Sequence, residues 1–527
     1  MIKEKIKNER DLANFKRKIA KEFKIPLPSN FELFKAYQIL LREKRIKRSK
    51  ILEKILKTRK VRSLSGIVNV SVLTKPYFCP GKCIFCPTEK GLPKSYLSGE
   101  PAVERAKRLN FDPYFQMKKR IEMLKIEGHP TDKIELRIVG GTFSAYPKNY
   151  RIWFVKECFR AANENKFYHK ILPWQNNVVH LFEELKKEQR KNEKAKNRIV
   201  GISIETRPDF INEKEIKFLR ELGVTMVELG VQTIFDDVLE KNKTGLNQNT
   251  IAKATKLLKD YGFKVLYHLM PNLLGSDLKK DFDCFKILFS DENFKPDWIK
   301  IYPTVVTKGG LIYELWKKKK YKPYSDKELI ELLVQIKSIL PYWVRVARIQ
   351  RDIPATKIVA GCKISNLREI VQRELKNKKL KCKCIRCREV RENYNPKEKI
   401  YLFREDYEAS GGKEIFLSFE NKNRTKLFSF LRLRIPNSEF LPVFKVLKDA
   451  AIIREIQTFG QMVPLGEKIL APQHRGLGKK LIKKAEKIAK KEFGVEKICS
   501  ISGVGVRDYW RKIGYKLKET YMVKTLR

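Results

Sequence analysis

The stretch FCPGKCIFCPT, residues 78–88, sets Cys79, Cys83 and Cys86 in C-x3-C-x2-C spacing. Three sulfurs on so compact a loop can hold three irons of a [4Fe–4S] cube and leave its fourth corner bare. An open iron can chelate the amino and carboxylate groups of S-adenosylmethionine and pass an electron to its sulfonium, a cofactor-based route to a carbon radical. Zinc binding, or thiols without a ligand, is the competing explanation of the same residues.

A second group, KCKCIRC, brings Cys382, Cys384 and Cys387 within six residues. Three thiolates on such a loop can wrap around zinc, which needs one more ligand for tetrahedral closure. Cys362, in AGCKISN, is the candidate; a redox-labile thiol cluster is the alternative. A filled zinc site would clamp two domains together. Cys158, Cys284 and Cys499 stand alone in apolar surroundings and are expected to be buried structural thiols. Ten clustered cysteines in 527 residues do not make a secreted disulfide scaffold.

A third pattern lies in APQHRGLGKKLIKKAEKIAKKEFG, where Gln473, Gly476 and Gly478 form Q-x-x-G-x-G at the opening of a helix. Bare amide N–H groups at a positive helix end suit a pyrophosphate, although the spacing by itself is weakly specific.

These sites need a frame. From about residue 64 to 350, the β-rich segments GIVNVSVLT, KIELRIVGGTF, RIVGISIETRP, TMVELGVQTI, KVLYHLMP and WIKIYPTVV alternate with amphipathic stretches such as PYFQMKKRIEMLKI. Such alternation predicts a parallel α/β sheet or barrel whose ligands collect at the carboxyl ends of the strands. The first cysteine loop directly follows the first of these segments. Beyond residue 399 the character changes: YLFREDYEAS, EIFLSFE, KLFSFLRLRI and AIIREIQTFGQMVPL read as consecutive antiparallel strands. Four regions are expected, at 1–63 (basic and helical), 64–355 (the α/β unit), 356–398 (the cysteine linker) and 399–527.

Charge narrows the partner. The chain carries a net charge of +53, a field that attracts polyanions, so nucleic acid is the leading class and a thermophile-type charged surface the bland alternative. Residues 1–63 hold 21 Lys and Arg against 7 Asp and Glu. The run from Arg42 to Arg62 reads as helix, with Ile46, Ile51, Leu52, Ile55 and Leu56 as a packing stripe and the opposite face free for phosphates. An acidic membrane surface is a weaker fit. No apolar run approaches the ~20 residues of a spanning helix, and MIKEKIKNERDL is too charged for a signal peptide, so the expected compartment is the cytoplasm.

The cysteine loop resembles the signature of the radical S-adenosylmethionine enzymes. Together with VGGTFSAYP, ISIETRPDF, VELGVQTIFDDVL, KIYPTVVTKGGLIYELW and RVARIQRDIP it resembles, over most of the chain, the family of Elongator catalytic subunits in its archaeal form. The last region, closing with ISGVGVRDYWRKIGY, is similar to the GNAT acetyltransferase fold. The resemblance therefore implies a radical S-adenosylmethionine partial (β/α) barrel fused to a GNAT α/β domain, with a basic helical amino-terminal region.

It also implies roles. Gly140 and Gly141 would lie against the methionine part of the cofactor, with Glu205, Arg207 and Gln232 as polar contacts. Glu455, Ile456, Gln457 and Thr458 would form the splayed strand that pairs with pantetheine. Gln473, Gly476, Leu477, Gly478 and Lys479 would form the pyrophosphate loop. Tyr509 and Trp510 stand where the family shows a Tyr-Tyr pair near the thioester, and Trp510 departs from that pattern. Lys133 would face the coenzyme A thioester. His129, His268 and His474 are expected to be structural.

The implied chemistry uses acetyl-CoA and the anticodon stem-loop of tRNA. A 5′-deoxyadenosyl radical takes hydrogen from the acetyl methyl, the carbon radical adds to C5 of the wobble uridine, position 34, and hydrolysis leaves a carboxymethyl group. Two rivals stand beside this: a protein-lysine acetyltransferase with a structural iron–sulfur cluster, and a basic nucleic-acid scaffold whose folds are inactive. A homodimer and further subunits are left open by the sequence.

Overall fold

The computed structural model describes residues 6–58, 63–164, 177–391, 394–460 and 475–526. Three short helices open it: α1 (Glu9–Glu22), α2 (Asn30–Arg42) and α3 (Lys50–Leu56). Ser29 and Glu32 form a reciprocal capping box on α2, and Ser49 caps α3. Leu12, Phe34, Tyr37, Leu52, Ile55 and Leu56 bury against one another as a small separate core.

The basic run from Arg42 is not one helix. α2 stops at Arg42, Lys44 turns into the left-handed region at φ 56°, and a new helix starts after Ser49. Of the expected packing stripe, Leu52, Ile55 and Leu56 are buried, Ile46 packs beside them, and Ile51 is 54% exposed. Residues 59–62 lie outside the described residues.

The first sheet has seven strands in chain order: β1 (Val68–Leu73), β2 (Lys133–Val139), β3 (Arg198–Thr206), β4 (Met226–Gln232), β5 (Lys264–Leu269), β6 (Trp298–Ile301) and β7 (Arg345–Arg348). Every neighbouring pair is parallel, as strands separated by helical crossovers must be. The alternation of side chains sorts its two faces. Val68, Val70 and Val72 of β1 join Tyr114, Met117 and Ile121 of the helix Pro113–Ile126 in the outer core. The inner face of the half barrel carries the polar residues Glu135, Arg137, Glu228, His268 and Lys300.

The second sheet contains β8 (Tyr401–Ala409), β9 (Gly412–Glu420), β10 (Leu427–Ile435), β11 (Ala450–Thr458), β12 (Lys497–Ser500), β13 (Lys516–Lys518) and β14 (Tyr521–Thr525), in the spatial order β8-β9-β10-β11-β12-β14-β13. The first four strands are antiparallel, and β11 and β12 are parallel. Helix α4 (Leu477–Phe493) packs Leu481, Ile482, Ala485, Ile488 and Ala489 on one face of this sheet.

The two sheets share one apolar core. Phe416, Phe428, Phe430, Ile452 and Tyr521 of the second sheet belong to the same buried cluster as the outer face of the half barrel. At the seam three fully buried arginines meet carboxylates of both units: Arg434 bonds Asp260 and Glu414, Arg432 bonds Glu455, and Arg454 bonds Asp297 and Glu414.

Candidate active site

The carboxyl ends of the half-barrel strands enclose a cavity of about 260 Å³. Cys79, Cys83 and Cys86 line it from the loop after β1, with Gly141 and Thr142 after β2, Glu205 and Arg207 at the end of β3, and Gln232 at the end of β4. Cys79 Sγ lies 3.5 Å from Thr142 Oγ1. Among the described residues, the groups of ligating atoms that close within 4.8 Å are Cys382, Cys384, Cys387 and Glu205, Glu228, His268. The three loop cysteines form no such group. Burial raises the Cys83 thiol and pushes Cys86 up to about 12, so the protein alone leaves these thiols protonated and a cationic cluster would displace the protons.

Gly140 stands at φ 135°, and a Cβ there would collide with Thr74 Oγ1, so only glycine fits this wall. Glu205 accepts from Tyr96 Oη at 2.8 Å and faces Lys300 Nζ at 3.6 Å. Arg207 is held by Asp209 and donates to the Thr244 carbonyl at 2.9 Å. Gln232 sits at φ 69°, and its buried Oε1 has no partner among the described residues.

The cavity floor was not expected from sequence. Arg137 donates to Glu228 at 2.7 Å, Lys300 pairs with the same carboxylate, and His268 Nε2 lies 3.0 Å from it. Burial alone would raise Glu228, but Arg137 and Lys300 outweigh it and hold the carboxyl well below the usual range. Burial, with Lys300 beside it, lowers His268 and favours the neutral ring. With two cations already on Glu228, this triad is a charged floor rather than a cation site. The signal was a period-two polar series inside strands, as in Lys133, Glu135 and Arg137 of KIELRIV. His129, by contrast, bonds Ser63 Oγ and the Thr58 carbonyl, each at 3.0 Å, and ties the amino-terminal region to the barrel.

A second cavity of about 380 Å³ opens at the other end of the half barrel, against the second sheet. Lys133, Glu455, Ile456, Gln457, Thr458, Gly476, Gly478, Lys479, Tyr509 and Trp510 all line it. β11 pairs with β12 only through Ala450–Ile453, so among the described residues its edge from Arg454 to Gln457 has no strand partner on that side. Those backbone groups can pair with an amide-bearing arm. Gly476 opens α4 at φ 69° without a side-chain cap among the described residues, so the amides of the first helical turn point toward this cavity end of the helix. Tyr509 Oη stands 3.5 Å from where a Cβ on Gly478 would lie, and burial raises its pKa. Burial lowers the Lys133 pKa from its ordinary value, against the pull of Asp132 beside it. Leu477 turns into the apolar core, and Trp510, 2% exposed, packs on Tyr515 at 4.8 Å. Gln473 and His474 lie outside the described residues.

Cys382, Cys384 and Cys387 converge as expected of their spacing, but Cys362 is not among them. It is buried beside Asp326, and burial with that carboxylate pushes its thiol up to about 11. Lys337 Nζ and Gln372 Nε2 instead donate to Cys387 Sγ, at 3.4 and 3.1 Å. Cys158, Cys284 and Cys499 are buried.

The radical SAM superfamily model matches residues 73–284, and the radical SAM C-terminal domain model matches 296–377. A tRNA uridine(34) acetyltransferase of Methanocaldococcus jannaschii is 46% identical over 492 residues, covering 90% of this chain and 88% of its own. The human Elongator complex protein 3 is 38% identical, covering 91% and 87%. The solved structure of archaeal Methanocaldococcus infernus Elp3, lacking its N-terminus (1–46), superposes with a TM-score of 0.75 at 44% identity, over 88% of this chain and all of that one. With a radical SAM half barrel, a second sheet fused to it, and identity of this extent, the chain belongs to the Elongator complex protein 3 family of radical SAM proteins.

Proposed function

We propose that this chain modifies the wobble uridine of tRNA, using acetyl-CoA in the second cavity and radical SAM chemistry in the first to build a 5-carboxymethyl group. The observation that carries this is a pair of cavities at the two ends of the same half-barrel strands, held by a single core. Cys79, Cys83 and Cys86 would hold a [4Fe–4S] cluster, which with bound S-adenosylmethionine supplies a hydrogen-abstracting carbon radical. Gly140, Gly141, Glu205 and Gln232 would seat the methionine portion, and Arg207 would set the charge beside the cysteine loop. In the second cavity the edge of β11 would bind pantetheine and the first-turn amides of α4 the pyrophosphate. Lys133 and Tyr509 would face the thioester. The three linker cysteines suit zinc, with Lys337 supplying charge beside them.

The test is mass spectrometry of tRNA nucleosides after anaerobic incubation of iron-reconstituted protein with S-adenosylmethionine, reductant, tRNA and acetyl-CoA labelled on its methyl carbon. Labelled carboxymethyluridine is the expected product. Label on protein lysines and none in tRNA would overturn the assignment.

The RNA grip is assigned to the exposed basic residues around α2 and α3. Reversing Arg42, Lys44, Lys47 and Lys50 to Glu is expected to weaken tRNA binding. For each duplex phosphate that is no longer neutralised, the slope of log K against log salt should fall by about 0.9. An unchanged slope in a salt titration would remove this surface from the footprint.

A further inference from the structure

The loop that carries the first cysteine is anchored by an aromatic stack. Tyr150, on the helix Lys148–Asn163, is fully buried, and its ring stacks on Tyr146 at 5.0 Å. Tyr146 in turn stacks on Tyr77 at 4.7 Å, with the ring planes 27° apart. Both inner rings are pinned to the chain just before Tyr77: the Lys75 amide donates to Tyr150 Oη at 3.1 Å, and Tyr146 Oη donates to the Lys75 carbonyl at 2.5 Å. The stack runs outward from the core and ends on Tyr77, which is 42% exposed and has no further ring partner among the described residues.

Phe78 follows at 72% exposure. Four aromatic side chains stand exposed among the described residues, Phe23, Tyr77, Phe78 and Tyr401, and only Tyr77 and Phe78 are neighbours. Two rings left in water forgo the burial that stabilises such residues elsewhere in the chain. Cys79, the next residue, lines the first cavity while Tyr77 and Phe78 do not, so the rings stand at its rim rather than within it. Two steps of chain separate Tyr77 from Cys79, at most about 7 Å. The rim is basic: residues 75–94 contain four lysines and one glutamate, and Lys82 and Lys90 are exposed.

An aromatic face among lysines suits an unstacked base with its phosphates alongside, because every base has a π-face and the backbone is an anion. Two rings offer at most about 500 Å². That falls short of the roughly 800 Å² that each partner buries in a stable protein interface, but it matches one or two bases. We propose that Tyr77 and Phe78 form a stacking platform for a base of a single-stranded RNA loop, the neighbour of the nucleotide that enters the first cavity. This rests on the proposed function for the identity of the RNA. The platform fixes the register of the loop: one base stacks at the rim while the next turns inward.

Binding of an anticodon stem-loop RNA to the full, iron-reconstituted chain tests it. Phe78→Ala and Tyr77→Ala should each weaken binding about tenfold, within the usual worth of one base–aromatic stack, and Tyr77→Phe should keep the affinity. The slope of log K against log salt should not move, since no phosphate contact is lost. An abasic nucleotide beside the wobble uridine should cost the same factor, and combining it with Tyr77→Ala should add nothing further. Tyr401→Ala, on the edge strand β8 of the second sheet, should bind normally. Thermal melting and iron content should report intact protein throughout. Unchanged affinity in both alanine variants, or losses that add in the combination, overturns the platform. Normal RNA binding by Phe78→Ala together with slower reduction of its cluster by reduced flavodoxin also overturns it, and would mark the rings as a docking point for a protein donor. If the unaltered protein does not bind the stem-loop, the functional assignment itself fails and this inference falls with it.

Discussion

Cys83→Ser is expected to reduce both S-adenosylmethionine cleavage and tRNA modification to background while tRNA affinity stays where it was. The serine hydroxyl is a far weaker ligand than a thiolate, and a cube held by two sulfurs in place of three is not retained. The binding energy for RNA comes from phosphate contacts spread over a surface that Cys83 does not belong to. Metal analysis separates this centre from the other. Iron should fall in Cys83→Ser and be retained in Cys382→Ser, because the two cysteine triplets sit on separate loops and neither supplies a ligand to the other's site. Anaerobic detection of 5′-deoxyadenosine, filter binding and metal content read the three quantities. Cleavage retained by Cys83→Ser would sink the radical assignment, whatever happened to the metals.

Much of this centre was legible because its signals are local. The C-x3-C-x2-C loop follows a β-rich segment directly, and a parallel α/β unit puts its ligands at that end of the strand. All six segments from GIVNVSVLT to WIKIYPTVV form strands, since β-branched runs separated by amphipathic helical stretches have few alternatives. What escaped depends on register. Glu228, His268 and Lys300 come from three different strands and meet only because β4, β5 and β6 pair as they do. His268 accordingly read as structural, yet it stands on the cavity floor. Cys362 failed as a fourth ligand for a related reason. Its distance in sequence from Cys382 said nothing of the fold, which places it beside Asp326. The basic run misled in the opposite way: its composition is helical throughout, but the turn at Lys44 is set by where α2 and α3 must pack around Phe34 and Tyr37.

The buried seam between the two sheets, which share one apolar core, leads to the second large effect. Arg454 on β11 donates to Asp297 at the start of β6, to Glu414 on β9 at 2.9 Å and to the Phe263 carbonyl at 2.6 Å, all within the buried seam. Arg454→Met would keep most of the side-chain volume and remove the closest cation that Asp297 and Glu414 share, leaving them to share Lys259 at 3.8 and 3.9 Å. Removing one member of a buried ion pair costs about 3–5 kcal/mol, since the remaining charge stays out of water. The comparison is Arg404, which pairs with Asp406 and Glu492 near the surface. Arg404→Met should cost no more than about 1 kcal/mol, because water screens and replaces that pair. Urea unfolding followed by circular dichroism measures both. Equal costs would mean that the charges at the seam are incidental and that the shared apolar cluster alone joins the sheets. Unequal costs, with one transition in each curve, would mean that the two sheets unfold together. That rigidity is what fixed alignment of the cavities at the two ends of the half barrel requires: β11 supplies both the seam arginine and the edge that lines the second cavity, so Arg454 ties the position of that cavity to the strands that carry the first.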